Sequence, residues 1–331
     1  MRALLDTDGI RIESWLSEVE DRSLANDVLD GLTKPFKEIP PKHFYDTRGS
    51  ELFDRICSLP EYYPTRTELS ILAERAQEIV DETGATELVE LGSGAADKAR
   101  ILLDAMAAAG TLERYVPFDV SEQVVRDSAE HLVQEYDGLQ VHGVVGDFER
   151  HLERVPPTSG DARLVALFGG TVGNFPPGTR RRFLRKVRAL LGPDDRLLLG
   201  TDLVKDPAVI EAAYDDPEGV TAEFNRNVLH VINRELGADF VPEAFEHIAF
   251  FDRQREWVEM RLRAQRPCSV MIDAIGLRVE FAAGEELRTE ISAKFTRARV
   301  AADYRAAGLQ LEGWYTDPDE LFALSLASRA A

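Results

Sequence analysis

The sequence predicts an α/β protein built on a doubly wound, mostly parallel sheet, joined to a second and composite α+β domain. Three observations predict it. Between residues 87 and 204, apolar runs of strand length alternate with helical patterns at the spacing of right-handed crossovers. The first of these runs ends in a glycine turn, Gly92-Ser93-Gly94, at the strand end where such sheets hold their ligands. After residue 204 the rhythm changes to one helical stretch and then short segments rich in Val, Ile and Phe, which mark a unit of different construction.

Each element follows from local pattern. Residues 10–32 carry apolar side chains at mixed three- and four-residue intervals, predicting an interrupted helix that Pro35, Pro40 and Pro41 end. A short helix is expected over 50–57. Pro60 and Pro64 bracket Glu61-Tyr62-Tyr63 and predict a constrained loop bearing the tyrosine pair, with helix resuming over 66–83. Strands are expected at 87–91, 114–120, 141–145, 163–168 and 196–204, and helices at 98–109, 123–136 and 178–191. Residues 207–236 read as helical and 245–281 as antiparallel strands. A helix at 300–307 and strands at 309–316 and 321–327 return to the first theme and complete the sheet. The expected domains are therefore interleaved: 64–203 with 295–331 for the sheet, and 1–63 with 204–294 for the second unit.

The chain's 331 residues suit two domains of roughly 150 each. Its 59 acidic side chains outnumber 39 basic ones, a net charge of −20, and an apolar fraction of 44 % is that of a folded protein. An acidic surface excludes affinity founded on neutralising phosphates, so the expected partner is a small molecule, with neither nucleic acid nor membrane and no obligatory protein partner. One run opposes this, Arg180, Arg181, Arg182, Arg185, Lys186 and Arg188. It is expected to be the solvated face of a crossover helix with Phe183, Leu184 and Val187 inward, RNA contact being the alternative. Cys57 and Cys268 lack ligand-spaced companions and the six histidines form no cluster, so neither a disulfide framework nor a metal is expected. The amino terminus shows no signal-peptide pattern and no run of about 20 apolar residues, which predicts a reducing, cytoplasmic setting.

The chemistry concentrates at strand ends. In Glu90-Leu91-Gly92-Ser93-Gly94 the glycines allow a sharp turn and close approach to a ligand, while the following helix offers free amides to an anion. Asp97 stands where a dinucleotide fingerprint wants a third Gly or Ala, which lowers the NAD reading. The shorter loop resembles that of Rossmann-like methyltransferases using S-adenosylmethionine (SAM). Asp119, at the next strand end, can accept both ribose hydroxyls. Asp147 and Phe148, after the third, offer a carboxylate for an adenine amino group beside a face on which the base stacks. Lys98 can pair with the methionyl carboxylate. After the fourth strand, Phe168-Gly-Gly-Thr-Val-Gly-Asn-Phe-Pro-Pro177 makes a tight loop in which Asn174 can donate and accept at once.

Longer blocks carry a more specific resemblance. Pro40-Pro-Lys-His-Phe-Tyr-Asp46, Gly49-Ser-Glu-Leu-Phe-Asp54, Leu59-Pro-Glu-Tyr-Tyr-Pro-Thr-Arg-Thr-Glu68, Gly200-Thr-Asp-Leu-Val-Lys-Asp206, Ala222-Glu-Phe-Asn-Arg-Asn227 and Phe281-Ala-Ala-Gly-Glu-Glu286 resemble the histidine-specific N-alpha-methyltransferases of ergothioneine biosynthesis. The resemblance implies a class I SAM-dependent fold and trimethylation of the α-amino group of L-histidine to hercynine, with SAM as donor and no metal. It implies Gly92, Lys98, Asp119, Asp147 and Phe148 as cofactor contacts, and Tyr62, Asn174 and Tyr214 as residues holding the amino-acid end. Glu290 and Ser292 would read the imidazole, Met260 would line its pocket, and Tyr45 would stand near the acceptor amine as a proton relay. Ala95-Ala96-Asp97 and Ala293 depart from the family pattern beside these positions. A methyltransferase of another amino acid or amine, and a catalytically silent SAM-binding module, are the alternative readings.

Overall fold

Five strands from the middle of the chain form the centre of a nine-stranded sheet. In order across it run Arg2–Thr7, Ile10–Ser14, Gln140–Val145, Arg114–Asp119, Glu87–Leu91, Arg163–Leu167, Arg196–Asp202, Phe322–Arg329 and Leu309–Thr316. The six from Ile10–Ser14 to Arg196–Asp202 pair in parallel, while Arg2–Thr7 and the last two strands pair antiparallel. In this computed structural model, residues 2–7, 9–16 and 23–330 are described, and the chain divides into two units. One comprises Met1–Ser17, Arg66–Leu203 and Phe295–Ala331, the other Glu18–Thr65 and Val204–Lys294.

The sheet unit follows the alternation read from sequence. Glu87–Leu91 and Arg163–Leu167 are buried along their whole length, as parallel strands covered by helices on both faces must be. Helices Asp97–Ala109, Glu122–Glu135 and Pro177–Leu190 make the crossovers. Leu88, Leu102, Met106, Val125, Leu132 and Leu164 are among the side chains that join the sheet to its helices in one core.

Three expectations are corrected. Residues 10–32 are not one interrupted helix: Ile10–Ser14 pairs with Gln140–Val145, and only Ser23–Leu32 is helical, residues 17–22 lying outside the described set. The reason was present in the alternation Ile10, Arg11, Ile12, whose period of two buries the isoleucines and exposes the arginine. The first residues thereby join the sheet unit instead of the second. Tyr63 is likewise no loop residue. It opens the helix Tyr63–Thr83, because a proline at position 64 is compatible with a helix's first turn. Finally, Pro177–Leu190 is not a uniformly solvated basic face, since Arg180 is buried, pairs with Asp303 at 2.7 Å and donates to Phe175 O. Arg185 and Arg188 donate to the carbonyls of Ala306 and Gly308, where they close a helix end.

The second unit has a four-stranded sheet in the order Lys37–Glu38, Glu286–Ala293, Trp257–Ala264 and Phe245–Asp252, and a hairpin of Cys268–Ile272 with Leu277–Phe281. Helices Thr47–Cys57, Pro207–Ala212 and Val220–Leu236 accompany it. The segment 204–294 leaves and rejoins the sheet unit at neighbouring points: Leu203 bridges Phe295, and Phe295 N–H donates to Asp202 O at 2.8 Å. Among the described residues no helix is long and apolar enough to cross a membrane.

Candidate active site

In the sheet unit, the proposed cofactor residues gather where the parallel strands end. Gly92 N–H donates to Phe118 O at 2.7 Å, so the glycine turn is stitched to the neighbouring strand. The Asp119 carboxylate accepts from Gly94 N at 3.1 Å and Ser121 N at 2.9 Å, and it therefore grips both its own loop and the glycine loop. Burial pushes its carboxyl up, opposed by those amides. Asp147 caps the helix Phe148–His151 by accepting from Glu149 N at 2.8 Å. Phe148, half-buried, meets the rings of Phe118, Phe175 and Phe183 at centroid distances of 6.5, 6.4 and 5.8 Å, an arrangement that fixes its plane.

Two buried glutamates, not singled out from sequence, organise these loops. Glu68, fully buried, pairs with Lys98 at 2.6 Å and accepts from Gly169 N at 3.1 and 2.8 Å, linking the first crossover helix to the loop after the fourth strand. Its approach to the next strand leaves no room for a side chain there: a Cβ on Gly200 would meet Glu68 Oε1 at 2.0 Å. Glu90 is held by the Tyr115 hydroxyl at 2.5 Å, and burial pushes its carboxyl up to about 8, against the opposing charge of Lys98.

The fit to a sulfonium nucleoside rests on the turn itself. Ser93 Oγ, buried in the glycine loop, has no hydrogen-bond partner among the described residues, while Gly92 and Gly94 on either side are exposed. A ligand polar group at this loop would satisfy that hydroxyl. Ala96 takes a left-handed φ of 62° at the start of Asp97–Ala109, a conformation that glycine adopts more readily. Asn174 lies half-buried in the 3-10 turn Thr171–Asn174 of this same unit.

In the second unit the other residues assemble around one strand. Tyr45, Phe53, Tyr62 and Phe224 form an aromatic cluster, with Tyr45 at 5.6 Å from Phe53 and 5.5 Å from Phe224, and Phe53 at 6.1 Å from Tyr62. Tyr45 exposes 44 % of its surface, but its hydroxyl lies within electrostatic reach of Glu290, Cys57 and Tyr214, and burial with their charges holds the phenol protonated. Burial pushes the Tyr62 phenol up in the same way. Met260, buried, is the partner of Glu290 across the strand pair.

A β-bulge sets the phase of that strand. Met260 pairs with Glu290 and Arg261 with Arg288, which leaves Thr289 as the extra residue. Thr289 Oγ1 donates to Asn225 Oδ1 at 2.6 Å, and Asn225 Nδ2 donates to His247 Nδ1 at 2.8 Å. The other ring nitrogen, His247 Nε2, then carries the hydrogen and donates to Tyr214 O at 2.9 Å. Burial keeps this imidazole neutral by pushing its pKa down.

Beyond the bulge, Glu290, Ser292 and Lys294 follow at the two-residue spacing that puts side chains on one face. The Tyr214 hydroxyl donates to Ser292 Oγ at 2.8 Å, and the buried Lys294 Nζ donates to both, at 2.9 and 3.0 Å. Burial pushes Glu290 up to about 7, and the Lys294 charge works against that rise. Lys294 is a residue that the sequence reading missed; its spacing of two from Ser292 and four from Glu290 was the available signal.

Comparison with known proteins gives these residues a family. Residues 24–329 match the family model described as histidine-specific methyltransferase, SAM-dependent. The chain is 51 % identical over 307 residues to histidine N-alpha-methyltransferases of Mycobacterium tuberculosis and of Mycolicibacterium smegmatis, matches that cover 93 % of this chain and 95 % of each relative. It is 34 % identical over 206 residues to an ergothioneine biosynthesis protein of Neurospora crassa, across 61 % of this chain and 23 % of that longer protein.

Proposed function

The chain belongs to the family of histidine-specific, SAM-dependent methyltransferases, and from that membership we propose the roles of its individual residues. It is a SAM-dependent L-histidine N-alpha-methyltransferase of ergothioneine biosynthesis. In our reading the α-amino group is methylated three times, to hercynine. Gly92, Lys98, Asp119, Asp147 and Phe148 hold the donor; Tyr62, Asn174 and Tyr214 hold the amino-acid end; Glu290 and Ser292 read the imidazole beside Met260. The carrying observation is the half-buried Glu290 carboxyl two residues from Ser292, in electrostatic reach of Tyr45, Tyr62 and Lys294.

Bound SAM supplies an electrophilic methyl group on a sulfonium, and no metal is needed for its transfer. The protein's part is alignment and proton management. Asp119 and Asp147 offer carboxylates to a ribose and an adenine amino group, and Phe148 offers a fixed stacking face. The acceptor nitrogen must be neutral to attack and must shed a proton after each of the first two transfers. Tyr45, held protonated, serves as a relay through its hydroxyl instead of as a base. A quaternary nitrogen has no proton left to lose, so the sequence of transfers ends at three by its own chemistry.

The ligand is a small molecule in this reading, with no nucleic-acid, membrane or obligatory protein partner and a cytoplasmic setting, in keeping with a net charge of −20. Incubating the purified chain with SAM and L-histidine and weighing the products tests the assignment. Mono-, di- and trimethylated histidine should accumulate in turn. Methylation of another amine with histidine untouched would overturn it.

A further inference from the structure

The hydroxyls of Tyr214 and Ser292 and the ammonium of Lys294 form a triangle in which the hydrogens at Ser292 can be counted. Ser292 Oγ accepts from the Tyr214 hydroxyl at 2.8 Å and from Lys294 Nζ at 3.0 Å. A serine hydroxyl has two acceptor sites and one hydrogen. With both acceptor sites engaged, Ser292 has only its own hydrogen to offer a ligand. Tyr214 gives its hydrogen to Ser292 and its oxygen receives from Lys294 at 2.9 Å, so its hydroxyl meets the amino-acid end through the oxygen, as an acceptor. The ammonium enforces this, since it is donor-only and fully buried between the two oxygens.

Glu290, on the same strand face, has the opposite character. An ionised carboxylate can only accept. The strand thus presents one acceptor and one donor, two residues apart. A neutral imidazole presents one N–H and one lone pair and matches that pair, whereas an imidazolium presents two donors and leaves Ser292 facing a donor.

We propose that Lys294 is a positioning residue for substrate specificity: by donating to both hydroxyls it fixes Ser292 as a hydrogen-bond donor, so that Glu290 and Ser292 together accept histidine as a neutral imidazole with its lone pair toward Ser292. This rests on the reading above in which those two residues face the ring. The charge of Lys294 also favours the ionised form of Glu290, which reinforces the same pairing. Without the ammonium, Ser292 regains an acceptor site and is free to turn, and the polarity of the pair is no longer defined.

The test uses the two pyrrolylalanines, in which one or the other ring nitrogen of histidine is replaced by C–H. The isomer that keeps the N–H toward Glu290 but lacks the lone pair toward Ser292 isolates the serine contact. Dissociation constants by calorimetry and kcat/KM are compared for this analogue and histidine in the native chain, Ser292→Ala, Lys294→Met and the double variant. The native chain should prefer histidine over it by about tenfold or more, the weight of one buried hydrogen bond. Both single variants should reduce that preference to within about twofold, the double variant should reduce it no further, and SAM affinity should hold. Loss of preference in Ser292→Ala but not in Lys294→Met overturns the role of Lys294 alone. Retention of preference in Ser292→Ala overturns the imidazole reading with it. An equal fall for both ligands in Lys294→Met marks a structural residue and also rejects the proposal.

Discussion

Glu68 and Lys98 meet at 2.6 Å, and the same carboxylate accepts the Gly169 amide, so one buried anion ties the helix that carries the cofactor residue Lys98 to the loop that leads to Asn174. A buried pair of this kind is costly to break from one side because the survivor is stranded. Glu68→Gln and Lys98→Met should each lower unfolding stability by about 3 kcal/mol. The double variant should cost clearly less than the sum, measured by denaturant unfolding without SAM. Additive losses would show that the two side chains do not depend on one another.

Gly200 is the position that makes room for Glu68. Gly200→Ala should destabilise the chain by about 1–3 kcal/mol through overpacking. Because the severe clash is with the end of the Glu68 side chain, the Gly200→Ala change should cost clearly less in a Glu68→Ala background, where only the 3.2 Å approach to the Phe322 ring remains. Thermal unfolding of the four chains checks this coupling.

Glu290 should separate histidine from SAM. Glu290→Ala is expected to lower kcat/KM for histidine by about 10²-fold, since an imidazole N–H would be left without its acceptor. SAM affinity by calorimetry should stay within about twofold. An equal loss of both would contradict the assignment.

Glu90 should make stability depend on pH in an unusual direction. Burial raises its carboxyl from 4.5 to about 8, so in that window the native chain keeps a proton that the unfolded chain has lost. Stability therefore falls as pH rises from about 4.5 through 8 on this group's account. Glu90→Gln, which keeps an acceptor for Tyr115, should raise stability at pH 9 by on the order of 1–3 kcal/mol and change it little at pH 4.5. Denaturant midpoints at the two pH values decide it.

The alternation of strands and helices between 87 and 204 was legible because buried parallel strands and crossover helices have different hydrophobic periods, as in Glu87–Leu91 against Asp97–Ala109. Ile10–Ser14 was misread because a short alternating run was averaged into the longer pattern that followed it. In the site, Asp119 and Asp147 stood out as carboxylates at strand ends, and Glu290 came from the family resemblance alone. Glu68 and Asn225 lay inside matched blocks without a role, and His247 and Lys294 were not marked at all. Their roles come from partners far along the chain: Glu68 meets Gly169, and Asn225 meets both His247 and Thr289. The bulge at Thr289 was equally hidden, since an extra residue is visible only against the strand it faces.

Leu203 and Phe295 stand side by side where the 204–294 segment departs and returns. A segment whose two ends stand at adjacent points can be cut out and replaced there without rerouting the chain of the sheet unit. Glu290 and Ser292 lie inside that segment, and Gly92, Asp119 and Asp147 lie outside it. The join at Leu203 and Phe295 is thus a natural seam for grafting: a segment exchanged there replaces positions 290 and 292 while Tyr45, Tyr62, Asn174 and the strands bearing Gly92, Asp119 and Asp147 stay in place.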